Sequence, residues 1–353
     1  MKVNHAILHA FDFVSCVNTY AQVELDLANK NAKRYAEGHA RHALKNLDAK
    51  RGTFAAESLF AEELRAYFRG QRDFVELSVQ IAEFVAGELG RMEKAESTDL
   101  LVVDFEDDPN DAVREMTDEE ADAAYHARGR RFFALFLLES KPAYLHEIGA
   151  TDLGDATVGV GRHRAILPNP SQKVASFALI DAETLAVSFC DKPRKVAGEE
   201  RMIIPDGLLQ CSTEASPKEM VQTVTRLVEE VAAEYGENTT VALSKAKAYV
   251  ADAVADDEEV LPWEVGREVF GEDSPCERRF KEAALAEALP ERMPVERAVA
   301  ERVAKKHKIR TDTGIEVTFP AEYGENPDFI EFLSGPDGLI SIELKNITSI
   351  ENR

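Results

Sequence analysis

The chain has 353 residues, of which 44% are hydrophobic and 30% are charged, so two or three globular domains are expected. Its formal net charge is −23, which excludes a protein that neutralises phosphate over its whole surface. Any contact with nucleic acid must therefore use local basic patches.

The sequence carries no signal for membrane insertion or secretion. Its longest apolar run, 132–138, is far shorter than the roughly 20 residues that cross a bilayer. The N-terminus lacks the apolar core and cleavage site of a signal peptide. The cysteines lie far apart and form no C-x-x-C pair, which favours reduced thiols over disulfides or a zinc site. They are Cys16, Cys190, Cys211 and Cys276. We therefore predict a cytoplasmic protein with no membrane partner.

Residues 1–212 predict an α+β domain. A strand is expected from Val3 to Phe13, and apolar residues then recur at helical spacing over 29–46, 54–69 and 74–92. These helices are expected to cover one face of a mixed or antiparallel sheet. The segments that predict the sheet are 100–105, 131–138, 158–167, 174–180, 185–189 and 202–204.

Residues 213–307 predict a mainly helical domain. Ser216 can cap a helix, Pro217 suits its first position, and Glu219 completes a capping box. This helix is expected to end at Gly236. Further helices are predicted over 241–255, from Pro262, from Pro275 and over 294–306.

Residues 308–353 predict strands that end in a β-hairpin. A strand is expected over 314–319, and the hairpin consists of 328–333, a turn at 335–338, and 339–344. The predicted class of the whole chain is therefore α+β, with a helical unit closed by a C-terminal hairpin.

Charge is unevenly distributed along the chain. Residues 99–122 are rich in aspartate and glutamate, and Arg114 is their only cation. Two basic clusters stand out against the acidic average. The best candidates for DNA contact are Lys305, Lys306, Lys308 and Arg310, followed by Arg34, Arg41 and Lys45. Such cations would bind the phosphate backbone, so binding should tolerate any sequence and weaken with salt.

The C-terminal hairpin also permits a nuclease interpretation. A Pro-Asp followed across a hairpin by Glu-x-Lys can hold a divalent metal and steady the attacking water. Here Asp328 would be the first ligand, and Glu343 and Lys345 would share a face of the last strand. Those two residues fit an ordinary half-exposed strand equally well.

Other motifs are weak, and we predict neither a cofactor nor a resident metal. His5, His9 and Asp12 are too widely spaced along a strand to share a metal and are interpreted as structural. The glycine-containing segment 159–164 lacks the lysine pattern of a phosphate loop. Cys16 is interpreted as an inert core thiol.

Short segments spread over nearly the whole chain resemble the bacterial nucleoid-associated protein family of the NdpA type. The resemblance implies a nucleoid-associated protein that binds DNA without catalysis, and it transfers no specific binding residues. The matching segments are Ala6–Asp12, Gly52–Phe54, Ile166–Pro168, Ser171–Lys173, Phe177–Asp181, Leu208–Cys211, Ser216–Glu219 and Ile342–Ile347.

We therefore predict a non-enzymatic protein that binds duplex DNA with little sequence specificity. Two alternatives remain open from the sequence. One is a scaffold of the chromosome machinery, in which the acidic segment 99–122 binds a protein partner. The other is the metal-dependent nuclease. DNA is the predicted partner, while other chromosome-associated proteins and a second copy of the chain are left open.

Overall fold

The computed structural model describes residues 1–13, 15–107, 129–152, 154–256, 258–295, 297–324, 326–334 and 340–349. It divides the chain into two units, residues 1–214 and 215–353. The predicted division at 212 and 307 into three parts stays a prediction.

Unit 1 is built on a seven-stranded antiparallel sheet, with the strand order β2-β1-β4-β5-β8-β9-β3. Separate two-stranded sheets are formed by β6 with β7 and by β10 with β11. The strands are β1 (Lys2–Asp12), β2 (Val17–Thr19), β3 (Lys50–Gly52), β4 (Thr98–Glu106), β5 (Arg131–Glu139), β6 (Lys141–Ala150), β7 (Ala156–Ile166), β8 (Ser176–Asp181), β9 (Val187–Cys190), β10 (Arg194–Val196) and β11 (Glu199–Arg201).

The helices of unit 1 cover both faces of the large sheet, not one face as the sequence predicted. Helices α2 (Leu59–Phe68) and α3 (Phe74–Gly90) contribute to the core on one face, and α1 (Lys30–Leu44) contributes to the core on the other. The central strands β4 and β5 are almost continuously apolar because both their faces are buried. Helix α1 approaches its face closely because its buried residues include small alanines.

Unit 2 begins with the predicted capping box. The Ser216 side chain accepts a hydrogen bond from Glu219 N, and the Glu219 side chain accepts one from Ser216 N. Helix α4 (Pro217–Tyr235) then ends at Gly236, which has the left-handed φ of +76° that favours glycine. The helices that follow are α5 (Thr239–Ala255), α6 (Pro262–Phe270), α7 (Pro275–Ala286) and the three-residue α8 (Arg297–Val299).

Two antiparallel hairpins end unit 2. The first pairs β12 (Lys306–Arg310) with β13 (Glu316–Pro320), and the second pairs β14 (Ile330–Ser334) with β15 (Ile340–Leu344). The predicted turn at 335–338 lies outside the described residues.

Three predicted elements were wrong in type or extent. Residues 202–204 are not a strand, because Ile203–Leu209 forms a wide π-helical turn, and the Asp206 carboxylate accepts from Met202 N at its start. The helix predicted from 54 begins at Leu59, after Ser58 caps it. The helix predicted over 294–306 gives way to a π-helical turn at Ala300–Ala304 and then to β12.

The α+β class is confirmed by the helices and the mostly antiparallel sheet. In the part of the chain that the structure describes, no helix is both long and apolar enough to span a bilayer.

Candidate nucleic-acid interface

The C-terminal basic cluster forms an exposed stripe along strand β12. Residues on this strand alternate between exposed and covered positions, so Lys306, Lys308 and Arg310 share one exposed side while His307 and Ile309 face the other way. Consecutive members of the stripe are about 6.6 Å apart along the strand, given a rise of about 3.3 Å per residue. Lys305, also exposed, precedes the strand at the end of the π-helical turn. The structure thus brings together all four cations of the first predicted cluster, which we call the β12 stripe.

The covered side of β12 holds the stripe in place. His307 is buried, and its ring stacks on Phe319 of β13 at a centroid distance of 5.3 Å. Burial, reinforced by the nearby Lys247 ammonium, lowers the pKa of His307 to about 4, so this ring is neutral at pH 7. Ala321 N also donates to Lys305 O at 3.1 Å, which anchors the beginning of the strand.

Glu316 of β13 is the acidic residue that faces the cations across the hairpin. Glu316 pairs directly with Arg310 across the strands, and its carboxylate accepts from Lys308 Nζ at 2.7 Å. Among the described residues, no carboxylate forms an ion pair with Lys305, Lys306 or Arg310. Those three cations are therefore available to phosphate oxygens without first breaking a salt bridge.

A cavity of about 350 Å³ lies beside the stripe within unit 2. Its wall is made mostly of small alanine side chains from α5 and the π-helical turn. Its charged rim includes cations and acids in equal number, so it is not a simple anion site. These rim residues are Arg297, Lys305, Lys306, Asp252, Glu301 and Glu322. Sequence reasoning missed this cavity, because its walls come from segments about 50 residues apart.

The second basic cluster lies on helix α1 in unit 1. Arg34, Arg41 and Lys45 are exposed, and their spacing of seven and four residues places them along one side of the helix. Lys45 follows the last helical residue, so its positive charge also complements the C-terminal end of the helix dipole. The structure therefore groups these three cations as well, in a different unit from the β12 stripe.

The acidic segment 99–122 is only partly a surface feature. Its first residues form β4, where Asp104 is fully buried and accepts hydrogen bonds from Arg131, Tyr67 and Asn4. Asp99, on the same strand, is half-buried, and this burial raises the pKa of its carboxyl to about 6. The start of the acidic segment is therefore part of the strand predicted over 100–105, and residues 108–122 lie outside the described residues.

The residues of the nuclease interpretation lie near one another on the last hairpin. Glu343 pairs across the strands with Glu331, whose carboxylate forms a salt bridge with Lys345. The hydrogen bond that Lys345 Nζ donates to Glu331 raises the pKa of the Lys345 amine. The negative charges of Glu343 and Asp328 raise it further. The hairpin forms its own two-stranded sheet. Across the described ranges, no three His, Cys, Asp or Glu side chains are grouped to hold a metal ion.

The N-terminal polar residues each have a separate structural partner. His5 Nδ1 lies 3.0 Å from a Glu24 carboxylate oxygen, and buried His9 accepts from Ala21 N at 3.1 Å. Asp12 accepts from the Ser97 hydroxyl at 2.8 Å. Their interpretation as structural residues agrees with these contacts. Cys16, by contrast, is exposed in a left-handed turn with φ of 57°, so its interpretation as a core thiol was wrong.

The glycine-containing segment 159–164 lies within strand β7, with no helix following it. Gly161 pairs with Leu145, and a Cβ built on it would collide with the Glu147 carboxylate. These glycines thus leave room for a neighbouring side chain and do not form a loop around phosphate.

A search of curated proteins found no match to the chain. A family model described as nucleoid-associated protein YejK, by contrast, matches residues 7–351. This match covers both units and nearly the whole sequence, in agreement with the resemblance that the short segments indicated. The chain therefore belongs to the family of the nucleoid-associated protein YejK.

Proposed function

We propose that this protein binds duplex DNA without cutting it, through backbone contacts made by the β12 stripe. The observation that carries the proposal is the alternation along β12, which gathers Lys306, Lys308 and Arg310 on one exposed side. Membership of a nucleoid-associated family gives the chain a DNA-associated role, and the stripe supplies the chemistry for direct contact.

Backbone contact accounts for the composition of the stripe. Lysine ammonium groups are point charges on flexible stems, which neutralise phosphates but do not discriminate among bases. The stripe has three lysines and one arginine, so the expected binding has little sequence preference. The net charge of −23 repels DNA from the rest of the surface, so the orientation of binding should be restricted to the basic clusters.

The stripe makes a quantitative prediction about salt. If its four cations each neutralise one phosphate, the plot of log affinity against log salt should have a slope of about −3.6. The α1 cluster would steepen this slope if it contacts the same duplex. We propose it as a second contact, since Arg34, Arg41 and Lys45 lie along one side of their helix.

The test is fluorescence anisotropy of a labelled random duplex, titrated with the full chain at several salt concentrations. Lys306→Glu/Arg310→Glu should weaken binding to unrelated sequences equally and reduce the magnitude of the salt slope by about 2. Lys94→Glu/Lys195→Glu is the matched control, because it makes the same charge change at exposed lysines of unit 1. Equal losses in the two double variants would overturn the assignment of the stripe.

The same assay separates the alternatives when magnesium is added. An intact duplex supports non-catalytic binding. Magnesium-dependent fragments that disappear in Asp328→Ala would instead establish the nuclease. Absence of binding at low salt would reject both DNA functions and leave the protein-binding scaffold. Its partner surface was predicted at the acidic segment 99–122, from which the residues buried in β4 are now excluded.

A further inference from the structure

The β6–β7 hairpin of unit 1 has one strongly apolar face. Residues paired across antiparallel strands point to the same side, so the pairs Tyr144–Arg162, His146–Val160, Ile148–Val158 and Ala150–Ala156 share this face. Its four largest apolar side chains are between 70% and 77% exposed. They are Tyr144, Ile148, Val158 and Val160. The hairpin forms a two-stranded sheet of its own and does not pair with any other described strand.

The opposite face of the hairpin has a different composition. It is formed by the pairs Leu145–Gly161, Glu147–Gly159 and Gly149–Thr157, and the Glu147 side chain lies against Gly161. Glycine and polar residues thus make up most of this side, together with Leu145, while the other side carries β-branched and aromatic residues. A strand pair with one apolar face is typical of a sheet that is covered on that side.

We propose that the apolar face of this hairpin is the interface with a second copy of the chain. The two hairpins would pack face to face and antiparallel, about a two-fold axis over the Ile148–Val158 pair. In this arrangement β6 lies over β6 of the partner, and residues equally far before and after Ile148 face each other.

Side-chain size is complementary in this arrangement. Reflection about Ile148 places His146 of one copy over Ala150 of the other, and reflection about Val158 places Val160 over Ala156. In these two contacts a larger side chain faces a small one, while Ile148 and Val158 meet their own counterparts at the axis and form the apolar centre between sheets about 10 Å apart.

Charge is complementary as well. Arg162 is exposed near the base of the hairpin, where its guanidinium lies over the Tyr144 ring at 6.0 Å. Asp152 and Asp155 are exposed at the turn. The two-fold axis over Ile148–Val158 places Arg162 of one copy opposite residue 154 of the other, between these two carboxylates. From its base to its turn, the hairpin thus carries a cation, an apolar centre and two anions. When two copies pack antiparallel, the cation of each lies near the anions of the other.

The same distribution argues against DNA as the occupant. A hairpin that enters a DNA groove places its tip against phosphates, and here the tip carries Asp152 and Asp155. Both would repel the backbone, whereas they attract Arg162 of a second copy.

The size of the face predicts the strength of the dimer. A hairpin about 34 Å long and about 10 Å wide offers roughly 300 Å² per copy, well below the roughly 800 Å² of a standard interface. The dimer should therefore dissociate in the micromolar range, at about 1–100 μM.

Sedimentation velocity of the full chain without DNA tests the proposal. Measurements in about 0.15 M salt limit long-range repulsion between the acidic chains to a Debye length of about 8 Å. A reversible monomer–dimer equilibrium is expected, and Val158→Glu should raise the dissociation constant at least tenfold by bringing two carboxylates to the axis. Thr157→Glu is the matched control, since it adds the same charge to the neighbouring residue on the opposite face. A monomeric wild-type chain at about 100 μM, or equal effects of the two variants, would overturn the proposal.

A cross-linking experiment tests the register directly. Sheets stacked about 10 Å apart are too distant for a direct disulfide, so a short bis-maleimide is the linking reagent. On a Cys16→Ser background, which removes the exposed thiol, Ile148→Cys should form a covalent dimer with this reagent. Thr157→Cys should not, because its side chain faces away from the partner. Cross-linking of Thr157→Cys as efficiently as Ile148→Cys would overturn the assignment of the face.

Charge reversal tests the ends of the interface. Arg162→Asp should weaken the dimer, and the triple variant R162D/D152R/D155R should restore it by exchanging the two charges. Failure of the triple variant to recover would contradict the antiparallel arrangement. Lys306→Glu/Arg310→Glu should dimerise normally, so the dimer can be judged even if the proposed DNA binding fails.

Discussion

Arg131 pairs with the fully buried carboxylate of Asp104, with Arg131 Nη2 donating to Asp104 Oδ2 at 2.6 Å and Arg131 Nε donating to Oδ1 at 3.1 Å. The Tyr67 hydroxyl donates to the same carboxylate at 2.5 Å, and Asn4 Nδ2 does so at 3.0 Å. This network joins β1, β4, β5 and α2 at one end of the large sheet. These hydrogen bonds stabilise the negative charge of Asp104, whose burial would otherwise be strongly unfavourable.

Arg131→Met should therefore destabilise unit 1 by about 3–5 kcal/mol, because it leaves the Asp104 carboxylate buried without its charge partner. Urea unfolding followed by circular dichroism measures the change. Arg130→Met is the control, since the Arg130 side chain is 67% exposed and its nearest Asp107 oxygen is 4.0 Å away. If the two variants unfolded at the same urea concentration, Asp104 would not depend on Arg131 for its stability.

Glu316→Gln should tighten DNA binding by up to about fivefold, which corresponds to the roughly 1 kcal/mol of an exposed charge pair. The substitution removes the carboxylate that pairs with the β12 stripe and releases Lys308 from its 2.7 Å salt bridge. Anisotropy at fixed salt measures the effect, with Glu183→Gln in an exposed turn of unit 1 as the control. Weaker binding by Glu316→Gln would mean that Glu316 positions the cations instead of competing for them.

Unit 1 should lose stability as the pH falls from about 6.5 to about 4. Burial lowers the pKa values of His9 and His39 from 6.5 to about 4 in the folded chain. The unfolded state therefore binds more protons in this window, and the free energy of unfolding falls as the pH falls. His39→Leu should reduce this fall, by on the order of 1–3 kcal/mol at pH 4.

Asp99 should change the stability of unit 1 with pH in the direction opposite to the two histidines, which provides a test of the histidine effect. Burial raises the pKa of Asp99 from 3.8 to about 6, so the folded state binds the extra proton between these values. Asp99→Asn should make the acid loss of stability steeper, whereas His39→Leu should make it shallower. The free energy of unfolding of each variant is measured from pH 7.5 to pH 4. A change of its pH dependence in the same direction in both variants would contradict these assignments.

Ser216→Ala should destabilise unit 2 by about 0.5–2 kcal/mol, because it removes the side-chain cap of α4. Trp263 is the only tryptophan of the chain and lies in unit 2, so its fluorescence during urea unfolding reports this change. Ser341→Ala, at an exposed position of β15, is the control. An unchanged unfolding midpoint in Ser216→Ala would show that α4 does not need the cap.

Much of the fold could be predicted because local signals agree with it. The Ser216 capping box and Gly236 mark both ends of α4, and the apolar runs at 100–105 and 131–138 became the central strands. Strand β6 was missed, since its alternating apolar residues face outward and do not resemble a core strand. The turn at 203–209 was missed because a short apolar run does not distinguish a strand from a π-helical turn.

The order of amino acids is enough to reveal patches of cations on a chain of net charge −23 and a family resemblance spread along it. Local patterns also place Lys305 to Arg310 between the last predicted helix and the closing strands. Which of these charges can reach a ligand depends on the folded chain. It buries Asp104 beneath Arg131, pairs Lys308 with Glu316 and leaves Lys306 exposed. This is so because solvation and ion pairing depend on neighbours that folding brings together, and the spacing of residues along the chain does not reveal those contacts.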